Sequence, residues 1–306
     1  MEHYQEQPIE KQRWIIPTFA WGSMLIASSS GIIIIREFGI DVPSWYPWFH
    51  VGVLGIILTF CFLIKKLHPL RAYVVILLIL FLLGFGGGWN WGLIPYVRST
   101  PIWIEWETSS SWGIEALGLH SFRLLPALVI FIFLLSIGKK PRDFYLVIGN
   151  IRSDAEPTKI IGMKKPEPWP KIGLIFAGIF FLGTLIFSLI VNPITWEQFK
   201  TNWYFLPIAL IIAAINAFNE EFSLRAAPLS QLYGVLGKTH SLLITSIYFG
   251  IGHFYGVPNG IIGILLSTFL GWFIGKSLIE TKGIFWAWFI HFLPDIVIFS
   301  FYALST

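Results

Sequence analysis

Residues 172–191 read IGLIFAGIFFLGTLIFSLIV, without one ionisable side chain. Coiled as an α-helix at 1.5 Å per residue, that run is ~30 Å long, the thickness of a bilayer's hydrocarbon core. Working outward from it, eight more apolar runs follow the same reading, at about 14–35, 46–64, 73–97, 124–137, 203–225, 240–256, 260–279 and 284–305. The run at 124–137 is short and has room to begin earlier, in the Trp-rich stretch before it. The expected fold is therefore all-α, a polytopic transmembrane helical bundle of about nine spans. Composition agrees: hydrophobic residues make up 55% of the chain and charged residues 12%, with mean hydropathy +0.71. Soluble domains need roughly 25% charged residues to hydrate their surface, so that class is excluded. Cys61 stands alone in an apolar run, which leaves disulfides no part. No cleavable leader is expected at the N-terminus, and the ending Ala-Leu-Ser-Thr is no prenylation box.

Basic residues orient the spans. With the N-terminus inside, the exterior keeps only Arg36, Arg98, Arg123 and Lys200, and Arg225 lies in the membrane; the rest of the 21 Lys and Arg are cytosolic. That bias is the positive-inside rule, with the N-terminus cytosolic and the C-terminus exterior, in what is expected to be the plasma membrane. Residues 98–123, with Trp103, Trp106 and Trp112, read as an external interfacial segment. Residues 138–171 read as a basic cytosolic loop, punctuated by Pro141, Pro157, Pro166, Pro168 and Pro170 and largely solvated. The Gly84–Gly88 run sits in an apolar span and suits close helix approach rather than phosphate binding. The chain divides into a membrane scaffold, 1–171, and a second helical unit, 172–306. The bilayer itself is one partner, and nothing in the sequence points to nucleic acid.

Ionisable side chains inside a bilayer are costly and mark function. Three places qualify. Glu220 and Glu221 precede Arg225; Glu221 and Arg225 are spaced i,i+4 and can pair, while Glu220 points about 100° away and is left as a base. The bland alternative is a charged helix end. His253 lies near a helix end among aromatics, where a histidine taken alone is more often structural than catalytic. His291 and Asp295 share a face at i,i+4, so Asp295 can fix the ring's orientation, or the two form a buried structural pair. Depth joins them. Measured from the cytosolic ends, Glu220 lies ~16 Å in, His253 ~20 Å, Asp295 ~18 Å and His291 ~12 Å, so one layer holds all four. Pro228 must kink the first of these helices.

These residues make the chain resemble the CPBP family, the CAAX proteases and bacteriocin-processing enzymes also called Abi. The family pattern is Glu-Glu-x-x-x-Arg, Phe-x-x-x-His and His-x-x-x-Asn/Asp on separate helices. Here it stands as Glu220-Glu221…Arg225, Phe249…His253 and His291…Asp295, within roughly residues 172–306. Ala226-Ala227-Pro228 follows the arginine, where a glycine is common in the family. The resemblance implies an intramembrane endopeptidase in which Glu220, helped by His253, activates a water. Glu221 and Arg225 would hold Glu220 in place, and His291 and Asp295 would line the oxyanion. A carboxylate donates no hydrogen bond unless protonated, so Asp295 is expected to orient His291, which does the donating. The substrate would be a peptide or protein, prenylated or otherwise membrane-associated. No cofactor is expected. Zinc held by Glu220, His253, His291 and Asp295 is the alternative, satisfied by ligand type but without the compact His-Glu-x-x-His spacing. Two other classes stand beside these: a transporter or proton relay, and a non-catalytic immunity or binding protein on the same core.

Overall fold

Backbone groups in hydrocarbon have no water to bond, so apolar runs must satisfy themselves as helices. The computed structural model describes residues 14–85 and 90–306, and it is 78% helical with almost no strand. After the pair α1 (Ile15–Ala27) and α2 (Ser30–Glu37) come α3 (Tyr46–Leu63), α4 (Arg71–Leu83), α5 (Leu93–Arg98), α6 (Pro101–Ser109), α7 (Trp112–Phe122) and α8 (Leu125–Ser136). The second half holds α9 (Trp169–Val191), α10 (Trp196–Asn202), α11 (Leu206–Glu220), a π turn (Glu221–Ala226), α12 (Ala227–Gly252), α13 (Gly260–Thr281) and α14 (Phe285–Leu304).

Among the described residues seven helical segments are long and apolar enough to span a bilayer, and the α1–α2 pair, bent by 49°, makes an eighth. Trp196–Gly252 forms one 57-residue helical segment that carries two of the runs read as separate spans, so counting its legs singly returns about nine. Straight, it would measure ~85 Å, nearly three bilayer cores. Gly237 bends it, with φ 73° and ψ 179°. Glu220 and His253, on either side of that bend, line the same cavity, while Lys238 at the bend pairs with Glu280 and Glu156 far from it. The runs at 203–225 and 240–256 are thus two legs of one folded-back segment.

Other boundaries shift. The run at 73–97 is broken: α4 stops at Leu83, and Gly84, at φ +73°, caps it. A Cβ there would lie 2.5 Å from Pro95 Cδ, so the glycine does admit a close approach, as expected; Gly86–Gly88 lie outside the described residues. So do residues 1–13, with Lys11 and Arg13. The short run at 124–137 extends back to Trp112 as one candidate span. Residues 112–122 therefore belong to a helix that is part of a candidate span.

The 138–171 loop is not simply solvated. Its short strands β1 (Asp154–Ala155) and β2 (Glu167–Pro168) pair antiparallel. The loop then clamps the turn between α13 and α14: Asn150 N–H donates to Thr281 O (2.7 Å), and the Trp286 indole donates to Ile151 O (2.9 Å). Trp169 and Lys238 both bond Glu280, at 3.2 and 2.8 Å, and the buried Lys276 ammonium bonds it too. Lys238 also bonds Glu156 (2.6 Å) and so holds that carboxyl below the usual range. The clamp was hidden because its acids, Glu156 and Glu280, are far apart in sequence. Lys159, Lys164 and Lys165 do stay at the surface.

One hydrophobic core runs from Ala20 to Ile290 and crosses residue 171 without a break. Within it α12 packs closely on α13 along a seam of glycines. A Cβ on Gly250 would overlap Thr268, one on Gly275 would come 3.0 Å from Leu242, and one on Gly271 would come 2.6 Å from Arg225 Nη1. Small residues let helix backbones approach where no hydrophobic effect drives them together.

Candidate active site

α11 is apolar except on the face carrying Asn216, Asn219 and Glu220. Immediately after it the helix widens into the π turn, just ahead of Pro228, whose ring has no N–H to give and crowds the preceding turn. The expected kink is thus a π turn, a local widening common at functional sites. It holds the first pair. Arg225 Nε donates to Glu221 Oε2 (2.7 Å), Nη2 to Oε1 (3.2 Å), and Nη1 to the Gly271 carbonyl (3.1 Å). Both side chains are fully buried, and the guanidinium lies 4.3 Å from the centre of the Phe249 ring. The i,i+4 pairing is as the sequence indicates.

The third motif differs in one respect. His291 Nδ1 bonds Glu221 Oε1 at 2.7 Å, whereas Asp295 Oδ1 stands 3.7 Å from Nε2, too far for a hydrogen bond. Glu221, not Asp295, orients the ring. A full helical turn between His291 and Asp295 separates groups that a third element can bridge more closely, and i,i+4 spacing could not reveal that element. Asp295 is held instead by Asn216, whose amide donates to Oδ2 (3.0 Å) and, less tightly, to Glu220 Oε1 (3.3 Å). His253 closes α12, and its Nδ1 lies 2.8 Å from the Phe249 carbonyl. A carbonyl only accepts, so Nδ1 carries the proton and a neutral ring presents Nε2 as an acceptor. Phe249 packs against both rings, 4.2 Å from His253 and 5.8 Å from His291 between centroids.

The six residues of the three motifs do assemble, although they lie up to 75 positions apart in the chain. Glu220 differs from its neighbour Glu221 in having only long contacts: Arg123 Nη2 at 3.8 Å and His291 Nε2 at 3.8 Å, besides the Asn216 bond. Polar groups at such separations suit a bridging water. Two cavities, of about 260 and 540 Å³, meet at Arg123, Glu220 and His253. The first runs toward α1 and α4, the second along α7 and α14, where His291 and Asp295 join its lining.

Sequence reading missed Asn216 and Arg123. Asn216 had a signal, since it is the polar residue one helical turn before Glu220 in an apolar run. Arg123 looked like an exterior charge, but the carbonyl of that residue accepts from Asn219 (2.6 Å), which draws the α7–α8 turn into the site. Zinc fares poorly on placement. Among the described residues no three His, Cys, Asp or Glu side chains converge to hold a metal ion. The arrangement does not fit the four-ligand zinc site, and no step here passes through one.

Residues 201–297 match the family model of the Rce1-like type II CAAX prenyl endopeptidases, in line with the CPBP resemblance. The match takes in all six motif residues and leaves Arg123 outside. No curated protein and no solved structure matches the chain.

Proposed function

We propose, from an Rce1-like domain set in a polytopic helical bundle, that this membrane protein is a CAAX-type endopeptidase cutting a prenylated or otherwise membrane-held peptide. The observation that carries the reading is the contrast between two adjacent carboxylates. Glu221 is spent on Arg225 and His291, whereas Glu220 faces both cavities beside His253 with no short contact to a charged group. In the proposed reaction Glu220 takes one proton from a water that His253 Nε2 also accepts from. The hydroxide adds to the scissile carbonyl. Collapse of the tetrahedral intermediate breaks the C–N bond, and Glu220 returns its proton to the leaving amine. His291 Nε2–H donates a hydrogen bond to the oxyanion when the ring carries both protons, with Glu221 fixing its direction.

The chemistry is tested on purified protein in lipid nanodiscs with a farnesylated peptide. Strong chelators should leave the rate unchanged, and elemental analysis should find no stoichiometric zinc. His291→Ala should slow turnover by roughly 10²–10³, the usual size for one lost oxyanion donor. Chelator-sensitive turnover restored by zinc would overturn the metal-free mechanism.

Orientation is a separate proposal, with the N-terminus and the 138–171 loop in the cytosol. Cys61 is buried and leaves exposed single cysteines to report. Impermeant thiol reagents on intact cells should tag Ser109→Cys and spare Lys164→Cys. The reverse pattern would invert the assignment.

A further inference from the structure

Both cavities are lined by acids, Glu220 in each and Glu115 and Asp295 in the second, yet each contains one arginine or lysine among the described residues, and it is the same one. Arg123 sits in the two-residue turn between α7 and α8, with its guanidinium 5.5 Å from the centre of the Phe85 ring. Its side chain is 34% exposed, whereas that of Glu220, 3.8 Å away, is 12% exposed. Arg225, the other arginine nearby, has all its bonds filled and is closed off from either cavity. Among the described residues Arg123 makes no short ion pair, so a guanidinium fork faces the space where a substrate would pass.

Resting on the endopeptidase reading, we infer that Arg123 is a specificity residue that binds the free C-terminal carboxylate of the substrate. A carboxylate meets a guanidinium through two parallel N–H···O bonds, which Glu220 at its present distance does not. Among the described residues no other arginine or lysine lines either cavity. The position also measures length. Glu220 Oε1 and Arg123 Nη2 are 3.8 Å apart, and a water and a carbonyl must fit beside the first. At 3.3–3.6 Å per extended residue, that separation with a water and a carbonyl in line leaves room for a chain ending no more than about three residues beyond the cut bond. Binding it would also draw Arg123 off Glu220 at the moment the base is needed.

Binding is measured on the Glu220→Gln protein, so that the result does not depend on turnover. The probes are a farnesylated peptide with three residues after the cysteine and a free C-terminus, its C-terminal amide, and an amide whose last residue is glutamate. The acid should bind about 10–100-fold more tightly than its amide, the range for one charge-assisted contact. The glutamate-ended amide should not recover that preference. Adding Arg123→Gln should bring the acid-to-amide ratio close to one, and Arg123→Lys should restore part of it. The Asn219 bond runs to the backbone of residue 123 and survives either change. Equal binding of acid and amide, binding of neither, a preference that outlasts Arg123→Gln, or full recovery by the glutamate side chain would each overturn the assignment. A wild-type protein that leaves intact the peptide bound with this preference would sink the endopeptidase reading and leave Arg123 as a carboxylate site.

Discussion

Glu220→Gln is expected to give a folded, membrane-inserted protein that does not cut a peptide the wild type cuts. The change keeps the side chain's size and its capacity to accept from Asn216 while removing the carboxylate proposed to take and return a proton. General bases contribute roughly 10²–10⁴ in rate, so turnover should fall by at least that factor. The adjacent Glu221→Gln makes a useful contrast. There the loss should come with instability, because Glu221 holds Arg225 and His291. Full turnover by a well-folded Glu220→Gln protein would exclude it as the base, and mass spectrometry of the products at matched protein concentration decides.

Arg225→Met should unfold the site rather than slow it. The guanidinium is 0% exposed, makes two bonds to an equally buried Glu221, and caps the Gly271 carbonyl. Removing one partner of such a pair costs about 3–5 kcal/mol, because the other charge stays buried without compensation. Methionine fills much of the space, so a lost cavity filler is not the main cause. The measurement is thermal unfolding of detergent-solubilised protein followed by tryptophan emission. Glu221→Gln combined with Arg225→Met should recover part of the loss, since no lone charge then remains. A single Arg225→Met variant as stable as the wild type would show that the pair contributes little to the fold.

How much of this was legible in the sequence depends on the range of the interaction. Span positions and the Glu221–Arg225 pair were readable because hydropathy and i,i+4 spacing are local. The three motifs could be placed in one layer because distance along a helix is arithmetic. What the sequence did not show was lateral: that Glu221 reaches His291 across helices, that Asn216 holds Asp295, or that Arg123 is drawn in by Asn219. The 57-residue segment illustrates the same limit. Its apolar runs mark two spans, but the backbone change that folds it back lies in the single residue Gly237, within a stretch that otherwise reads as helix.

The glycine seam between α12 and α13 has a mechanical consequence. Gly250, Gly271 and Gly275 let the facing helix press onto bare backbone, through Thr268 and the Ile264 carbonyl, the Ser246 Cα and Leu242, and Arg225 is wedged against the seam at Gly271. Parting these helices would strip contacts from bare backbone and pull the guanidinium off its carbonyl acceptor. That flank behaves as a fixed wall, so on the endopeptidase reading a peptide carrying a lipid tail is expected to come in from another flank. There α7 borders one cavity, and α1 and α4 border the other. A crosslink across the α12–α13 seam should therefore be tolerated by a working protein, whereas one tying α7 to α14 would bolt the door.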